Sequence, residues 1–245
     1  MGTWYFSPFW IINRPFHGIL KIVINKSYPI VVAHKTDTMK NINKLIFLIT
    51  ISIIISCGQT DPNKQIDEGK VEGETYTSKE IGWTMQIPKN WSIISKDKMD
   101  KSTERGMEAV KEVGGEFDYS GLKHLVSFQK NQFNIFQSTS EPFELEYEGE
   151  WEDNNAGLKE LLYATYANQG IKIDTSSSNT KIDELNFEVF HITIYGTNGD
   201  IILYQDMYGR YINGFDFGVN INYNNEKDKE TMMNVWRNSK FKKQQ

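Results

Sequence analysis

Residues 201–223, IILYQDMYGRYINGFDFGVNINY, decide the fold. Asn213-Gly214 separates two runs rich in β-branched and aromatic residues. An Asn-Gly pair tolerates the positive φ angles that a two-residue type I′ turn demands, so the runs form a β-hairpin. On its second arm Phe215, Phe217, Val219, Ile221 and Tyr223 share one face, an apolar row that requires a covering layer.

Outward from this hairpin, Phe187–Tyr195 and Ile171–Thr175 read as further strands. Between residues 153 and 170, Leu158, Leu161, Leu162, Thr165 and Tyr166 recur at helical spacing. Asp153, Asn154 and Asn155 are capping candidates there, and Gly170 stands just past the end. Trp83, Met85 and Ile87 alternate on a short strand, and Pro88–Trp91 turns the chain into Ser92–Ile94. Residues 97–113 carry Met99, Thr103, Met107 and Val110 on one helical face, with Gly106 interrupting and Gly114-Gly115 ending it. Strands are expected near Lys123–Lys130 and Asn134–Thr139. A closing helix buries Met232, Val235, Trp236 and Ser239, with Glu226 and Asp228 in its first turn and Arg237 and Lys240 near its end, complementing the helix dipole.

Strands linked by hairpins and interspersed with helices give an α+β domain, mainly antiparallel β-sheet covered by helices. Element order, Ile87-Pro88-Lys89-Asn90-Trp91 after the first strand, the long hairpin and Trp236-Arg237-Asn238-Ser239-Lys240-Phe241 in the closing helix together resemble the PsbP-like α/β/α sandwich. The resemblance covers residues 76–243. It implies a binding or assembly role without choosing a partner, because one fold serves many functions.

The N-terminal region carries an address. Met39–Lys44 is a short basic stretch, and Leu45–Ser56 (LIFLITISIIIS) is an uncharged apolar run ending at the sole cysteine, Cys57. Twelve residues suit a secretory h-region and fall well short of the roughly 20 needed to span a bilayer as a helix. Ile54-Ile55-Ser56-Cys57 resembles the lipobox of bacterial lipoproteins, with Ile54 where that family usually has Leu. The resemblance implies that residues 39–56 are a signal peptide and that Cys57 is diacylated, freed by a dedicated peptidase and acylated again, becoming a palmitate-type membrane anchor. Several acyl chains hold a protein far more stably than one. Gly58 after the cysteine, in place of the Asp of inner-membrane lipoproteins, points to the outer membrane.

Residues 1–38 precede this signal by more than an n-region needs, so Met39 is read as the true start and 1–38 as upstream sequence included by a start-site error. The competing reading is an interfacial segment. Residues 57–75, with GQTDPNKQIDEGKVEGET after the cysteine, are expected to be a flexible tether because they lack large apolar residues. Residues 76–245 are the folded domain.

Charge narrows the partners. Residues 1–56 hold six Lys/Arg and one acid, which leaves a net charge of −10 on the remainder of a chain whose total is −5. Such a domain repels phosphate backbones, so nucleic acid is not expected as a partner. One thiol excludes a disulfide framework and a cysteine zinc site, and no metal or cofactor is expected. Neither a G-x-S-x-G elbow, an H-E-x-x-H helix, a Walker loop nor a dinucleotide fingerprint occurs, and no catalytic residue is assigned.

Three features remain. Glu144, Glu146, Glu148, Glu150 and Glu152 alternate with Leu145, Tyr147, Gly149 and Trp151. If extended, they form an acidic ridge, read either as a Ca²⁺ or partner-docking site or as a solvated edge strand whose charges block pairing. His124 and His191 lie on expected strands, where a satisfied structural histidine competes with a general base. Trp83, Trp91, Trp151 and Trp236 could line a carbohydrate or apolar-ligand cleft, although core packing accounts for them better. The sequence thus reads as a lipid-anchored cell-envelope protein acting as a non-enzymatic interaction module with an envelope protein partner. The alternative is a periplasmic ligand-binding protein or hydrolase using His124 or His191 with nearby carboxylates.

Overall fold

The computed structural model describes residues 61–114 and 118–242. Residues 1–38, the expected signal 39–56 and Cys57 lie outside the described residues. In chain order the first half contains β1 (Lys70–Glu72), β2 (Thr75–Thr77), β3 (Trp83–Gln86), β4 (Ser92–Ile93), α1 (Lys96–Gly114), β5 (Lys123–His124), β6 (Phe128–Gln129) and β7 (Ile135–Pro142). The second half contains α2 (Glu150–Asn168), β8 (Ile173–Ile182), β9 (Leu185–Tyr195), β10 (Ile201–Ile212), β11 (Phe215–Tyr223), α3 (Glu226–Arg237) and β12 (Lys240–Phe241).

The 201–223 hairpin is present, with Asn213 at φ 54° and Gly214 at φ 79°. Its arms pair from Tyr204–Tyr223 to Ile212–Phe215. They form the middle of an antiparallel sheet in the order β4-β6-β7-β11-β10-β9-β8, with β5 also on β7. A smaller antiparallel sheet runs β1-β2-β3-β12. The molecule is therefore the α+β, mainly antiparallel fold that the pattern implies.

Alternation along the strands sends side chains to two cores. On one face of the large sheet Phe190, Ile192, Ile194, Leu203 and Met207 pack with Val110 of α1 and Leu158, Leu162 and Tyr166 of α2. On the other, Phe187, Val189, Tyr208, Phe217, Val219 and Ile221 meet Trp83 and Met85 of β3, Met232 and Trp236 of α3, and Phe241 of β12. This second outer layer differs from a plain α/β/α sandwich, because α3 shares it with the small sheet. The cause is β3, whose inward Trp83 and Met85 cover the large sheet as a helix face would.

Residues 61–75, expected as part of the flexible tether, carry β1 and the start of β2. From Asp61 onward the polar residues are spent on specific partners, and Val71 is buried. Asn63 accepts the Val71 N–H at 2.8 Å and donates to the Val71 carbonyl at 3.0 Å. Glu68 accepts the Lys79 N–H at 2.7 Å, while its carbonyl accepts the Tyr76 hydroxyl at 2.9 Å. A segment poor in apolar residues is thus folded onto the domain by hydrogen bonds from its neighbours.

Two boundaries also move. β8 continues past Thr175 to Ile182, because pairing with β9 imposes extended backbone on a Ser-Ser-Ser-Asn tract of weak intrinsic preference. α2 starts at Glu150, ahead of the expected caps, with Gly149 at φ 91° as its N-cap.

Candidate functional site

β9 positions His191. Its odd-numbered row begins with Phe187 and Val189, which are buried under α3 and the small sheet, and reaches His191 where that cover ends. In the register His191 faces Asp206 on β10 and Ser176 on β8, with Ser178 on the diagonal. Cross-strand and diagonal neighbours on one face are within reach of long or polar side chains. His191 Nδ1 lies 2.6 Å from Asp206 Oδ1, and its Nε2 lies 2.8 Å from Ser178 Oγ. The Asp206 side chain is 10% exposed, the His191 ring 37%. Tyr223 stands beside the carboxylate, and burial together with Asp206 pushes its phenol well above the ordinary tyrosine range. An exposed hydroxyl, a half-buried imidazole and a buried carboxylate therefore stand in one hydrogen-bonded line.

The surrounding face is aromatic and polar. Tyr204 stacks on Tyr223 with ring centroids 5.2 Å apart. Lys229 of α3 lies 4.8 Å from the Tyr223 ring, and Lys172 lies 4.5 Å from that of Tyr195. The Tyr195 hydroxyl donates to Asp174. The sequence placed His191 on a strand, as observed, but gave no sign of Ser178 or Asp206. A Ser-Ser-Ser tract and a lone Asp between tyrosines carry no local signal, because only the β8–β9–β10 register brings them to one histidine.

His124 has a different setting. It is buried, its Nε2 lies 3.3 Å from Thr103 Oγ1 and 3.5 Å from Asp100 Oδ1, and its Nδ1 has no hydrogen-bond partner among the described residues. Its backbone N–H donates to Asp67 Oδ2 at 2.8 Å. Burial lowers the ring pKa, against the pull of Asp67 and Asp100, and Lys96 lowers it slightly further. Lys96 ion-pairs with both carboxylates, at 2.9 Å and 3.0 Å. Asp100, Thr103, Glu104, Tyr119, Leu122 and His124 line a cleft of about 250 Å³.

The acidic run is not an extended ridge. Residues 146–149 bend and turn, and Glu150 and Glu152 belong to the first turn of α2, where acids complement the helix dipole. The Glu150 carboxylate accepts the Glu146 N–H at 2.6 Å. Leu145 and Tyr147 are exposed instead of backing the glutamates, while Trp151 turns inward and donates to Asp216 Oδ1 at 2.7 Å. Among the described residues no group of three or more His, Cys, Asp or Glu could hold a metal ion.

The four tryptophans do not line one cleft. Trp83 and Trp236 are fully buried and meet edge to face with centroids 5.9 Å apart. Trp91 lies edge-on to Phe128 at 5.7 Å, and Trp151 serves the start of α2.

No family model and no curated protein matches the sequence. Among solved structures the chain is similar to the solution structure of cyanobacterial PsbP (CyanoP) from Synechocystis sp. PCC 6803. The TM-score is 0.46 at 10% identity, with 71% of this chain and 98% of that chain covered.

Proposed function

We propose that this chain is a cell-envelope protein held at the membrane by a lipid on Cys57, and that its domain is an interaction module which takes an extended segment of an envelope protein along β8. The observation that carries the docking half is the free edge of β8. This ten-residue strand pairs with β9 without a register shift, and no strand lies on its other side among the described residues. Between Asp174 and Lys181 it contains no charge and no proline. Natural sheets blunt such edges with charges, prolines, bulges or short strands, because a row of free N–H and C=O groups is a template for another chain. At the opposite side of the same sheet β4, β5 and β6 are two residues each. Strand addition uses main-chain hydrogen bonds for affinity.

The anchor rests on the basic stretch, the apolar run and Cys57. With the folded residues beginning at Asp61, four residue steps from Cys57 give a reach of at most about 14 Å, so an anchored domain would lie close to the lipid surface. Outer-membrane residence is part of this proposal, and its support is Gly58.

Two measurements test it. Intact mass and membrane partitioning of wild type beside Cys57→Ser should give an acylated, membrane-bound chain and a soluble or unprocessed one. An unlipidated wild type would remove the anchor. A photo-crosslinking residue at Ser177 or Asn179 should capture an envelope protein in cells, and loss of the Asn179 adduct in a Ser177→Pro background would assign capture to strand pairing. Absence of any adduct from either position would remove β8 as the docking edge.

A further inference from the structure

We propose that Ser178, His191 and Asp206 form a nucleophilic site that hydrolyses aryl carboxylic esters on the open part of the β8–β9–β10 face. This goes beyond the docking role of β8 and rests on a different observation, the order of atoms along the hydrogen-bonded line. Asp206 accepts at Nδ1 of His191, so that nitrogen carries the proton and Nε2 turns its lone pair to the Ser178 hydroxyl. Nucleophile and base are within hydrogen-bond reach, and a third group orients the base, which is the arrangement that activates a serine. The exposure gradient fits the roles: Ser178 is open to a substrate, and Asp206 is sheltered from water.

The reaction balances with water as its only co-reactant. Ser178 Oγ bonds to the acyl carbon while His191 Nε2 takes the hydroxyl proton. The bond from the acyl carbon to the aryl oxygen then breaks, and the leaving aryloxide receives that proton. Water adds to the acyl carbon with one of its protons passing to His191, the Oγ–acyl bond breaks, and that proton returns to Ser178 while the product departs as the carboxylic acid, which then ionises in solvent. Asp206 is a positioning residue that holds the imidazole and balances its charge. Among the described residues no strand covers the outer edge of β8, so while no partner segment occupies that edge its outward N–H groups are the donors open to an oxyanion forming at Ser178. Tyr195 and Tyr204 stand on the same face by their register and are part-exposed, and their rings offer stacking surface to an aryl leaving group.

The full chain in detergent is treated with a fluorophosphonate, the adduct is mapped by peptide mass spectrometry, and hydrolysis of 4-nitrophenyl acetate is followed in parallel. The expected result is a phosphonyl adduct on Ser178 and ester turnover, both increasing with pH as a basic imidazole requires. In His191→Gln, whose amide still bridges Ser178 and Asp206, both rates should fall about a hundredfold or more, the usual share of a general base. Asp206→Asn, which favours the wrong tautomer, should also fall, while circular dichroism shows the variants folded. A Ser178 adduct or ester turnover missing in wild type, a flat pH profile, or equal rates in His191→Gln each overturn the proposal. The pH profile needs no variant, so a misfolded substitution does not decide the matter.

Discussion

The indole N–H of Trp151 donates to Asp216 Oδ1 at 2.7 Å, tying the first turn of α2 to the start of β11 across 65 residues of sequence. This bond shows what the glutamate-rich run does structurally. Its acids in the first turn complement the helix dipole, and its one tryptophan pins that start to the central hairpin. Trp151→Phe keeps most of the ring and removes the donor, leaving a carboxylate without this partner. Hydrogen bonds to charged groups contribute about 1.5–3 kcal/mol, so urea unfolding should show a loss of that order with an unchanged m-value. A loss below about 0.5 kcal/mol would mean that the bond is replaced by water.

The second core depends on Trp236, which is fully buried and meets Trp83, Phe187 and Tyr208 with ring centroids between 5.2 Å and 5.9 Å. Truncating a buried aromatic to alanine costs about 3–5 kcal/mol, so Trp236→Ala should remove a large part of the stability of a marginal domain and flatten its near-ultraviolet dichroism. Trp91→Ala, at a half-buried ring, should cost clearly less in the same measurement. The indole N–H of Trp236, like that of Trp83, has no hydrogen-bond partner among the described residues. Trp236→Phe removes that unpaired donor along with some volume, and should be far milder than the alanine variant.

The elements that could be read from sequence are those whose signals are local. Asn213-Gly214 specifies its own turn, and the apolar spacing in α2 and α3 specifies its own faces. Residues 61–75 escaped that reading because their order comes from pairings that no apolar pattern marks: Asn63 with the Val71 backbone inside the segment, and Asp67 with the distant His124. The acidic run misled for the opposite reason. Strict alternation mimics a strand, and only the left-handed Gly149 with Trp151 packed inward converts it to a helix start. For the site, His191 was legible as a strand residue, whereas Ser178 and Asp206 become its partners only through register.

The β8–β9 turn provides a clean backbone test. Asp183 and Glu184 both have positive φ, 46° and 68°, where non-glycine residues are strained. Asp183 is held there by its carboxylate, which accepts the Phe241 N–H at 2.7 Å and pairs with Lys240 at 2.8 Å. Glu184→Gly should therefore stabilise by about 1 kcal/mol. Gly214→Ala is the converse, because its φ is 79° and an added Cβ meets nothing within 4 Å, so its cost is conformational alone and of similar size. Thermal unfolding of the two variants should shift in opposite directions. Shifts of the same sign would show that neither turn is limited by backbone strain.

His124 sets a pH dependence whose sign follows from burial. Its folded-state pKa is lowered, chiefly by desolvation and despite Asp67 and Asp100, so the unfolded chain takes up a proton at higher pH than the native one. Wherever the unfolded state binds more protons, stability increases with pH. The contribution of His124 is thus fully present above the ordinary histidine value of about 6.5 and is lost as pH falls from there toward the lowered native value. Below that value the loss levels off, since both states are protonated. Unfolding followed in urea from pH 7.5 down to 5 should show wild-type stability falling, and His124→Asn, with no titrating ring, should fall less over the same interval. Every other titrating group is common to the two proteins, so the difference between the two curves belongs to the histidine. Parallel curves would mean that the ring takes up its proton in the folded state without penalty, and that the 250 Å³ cleft beside it admits enough water to solvate the charge.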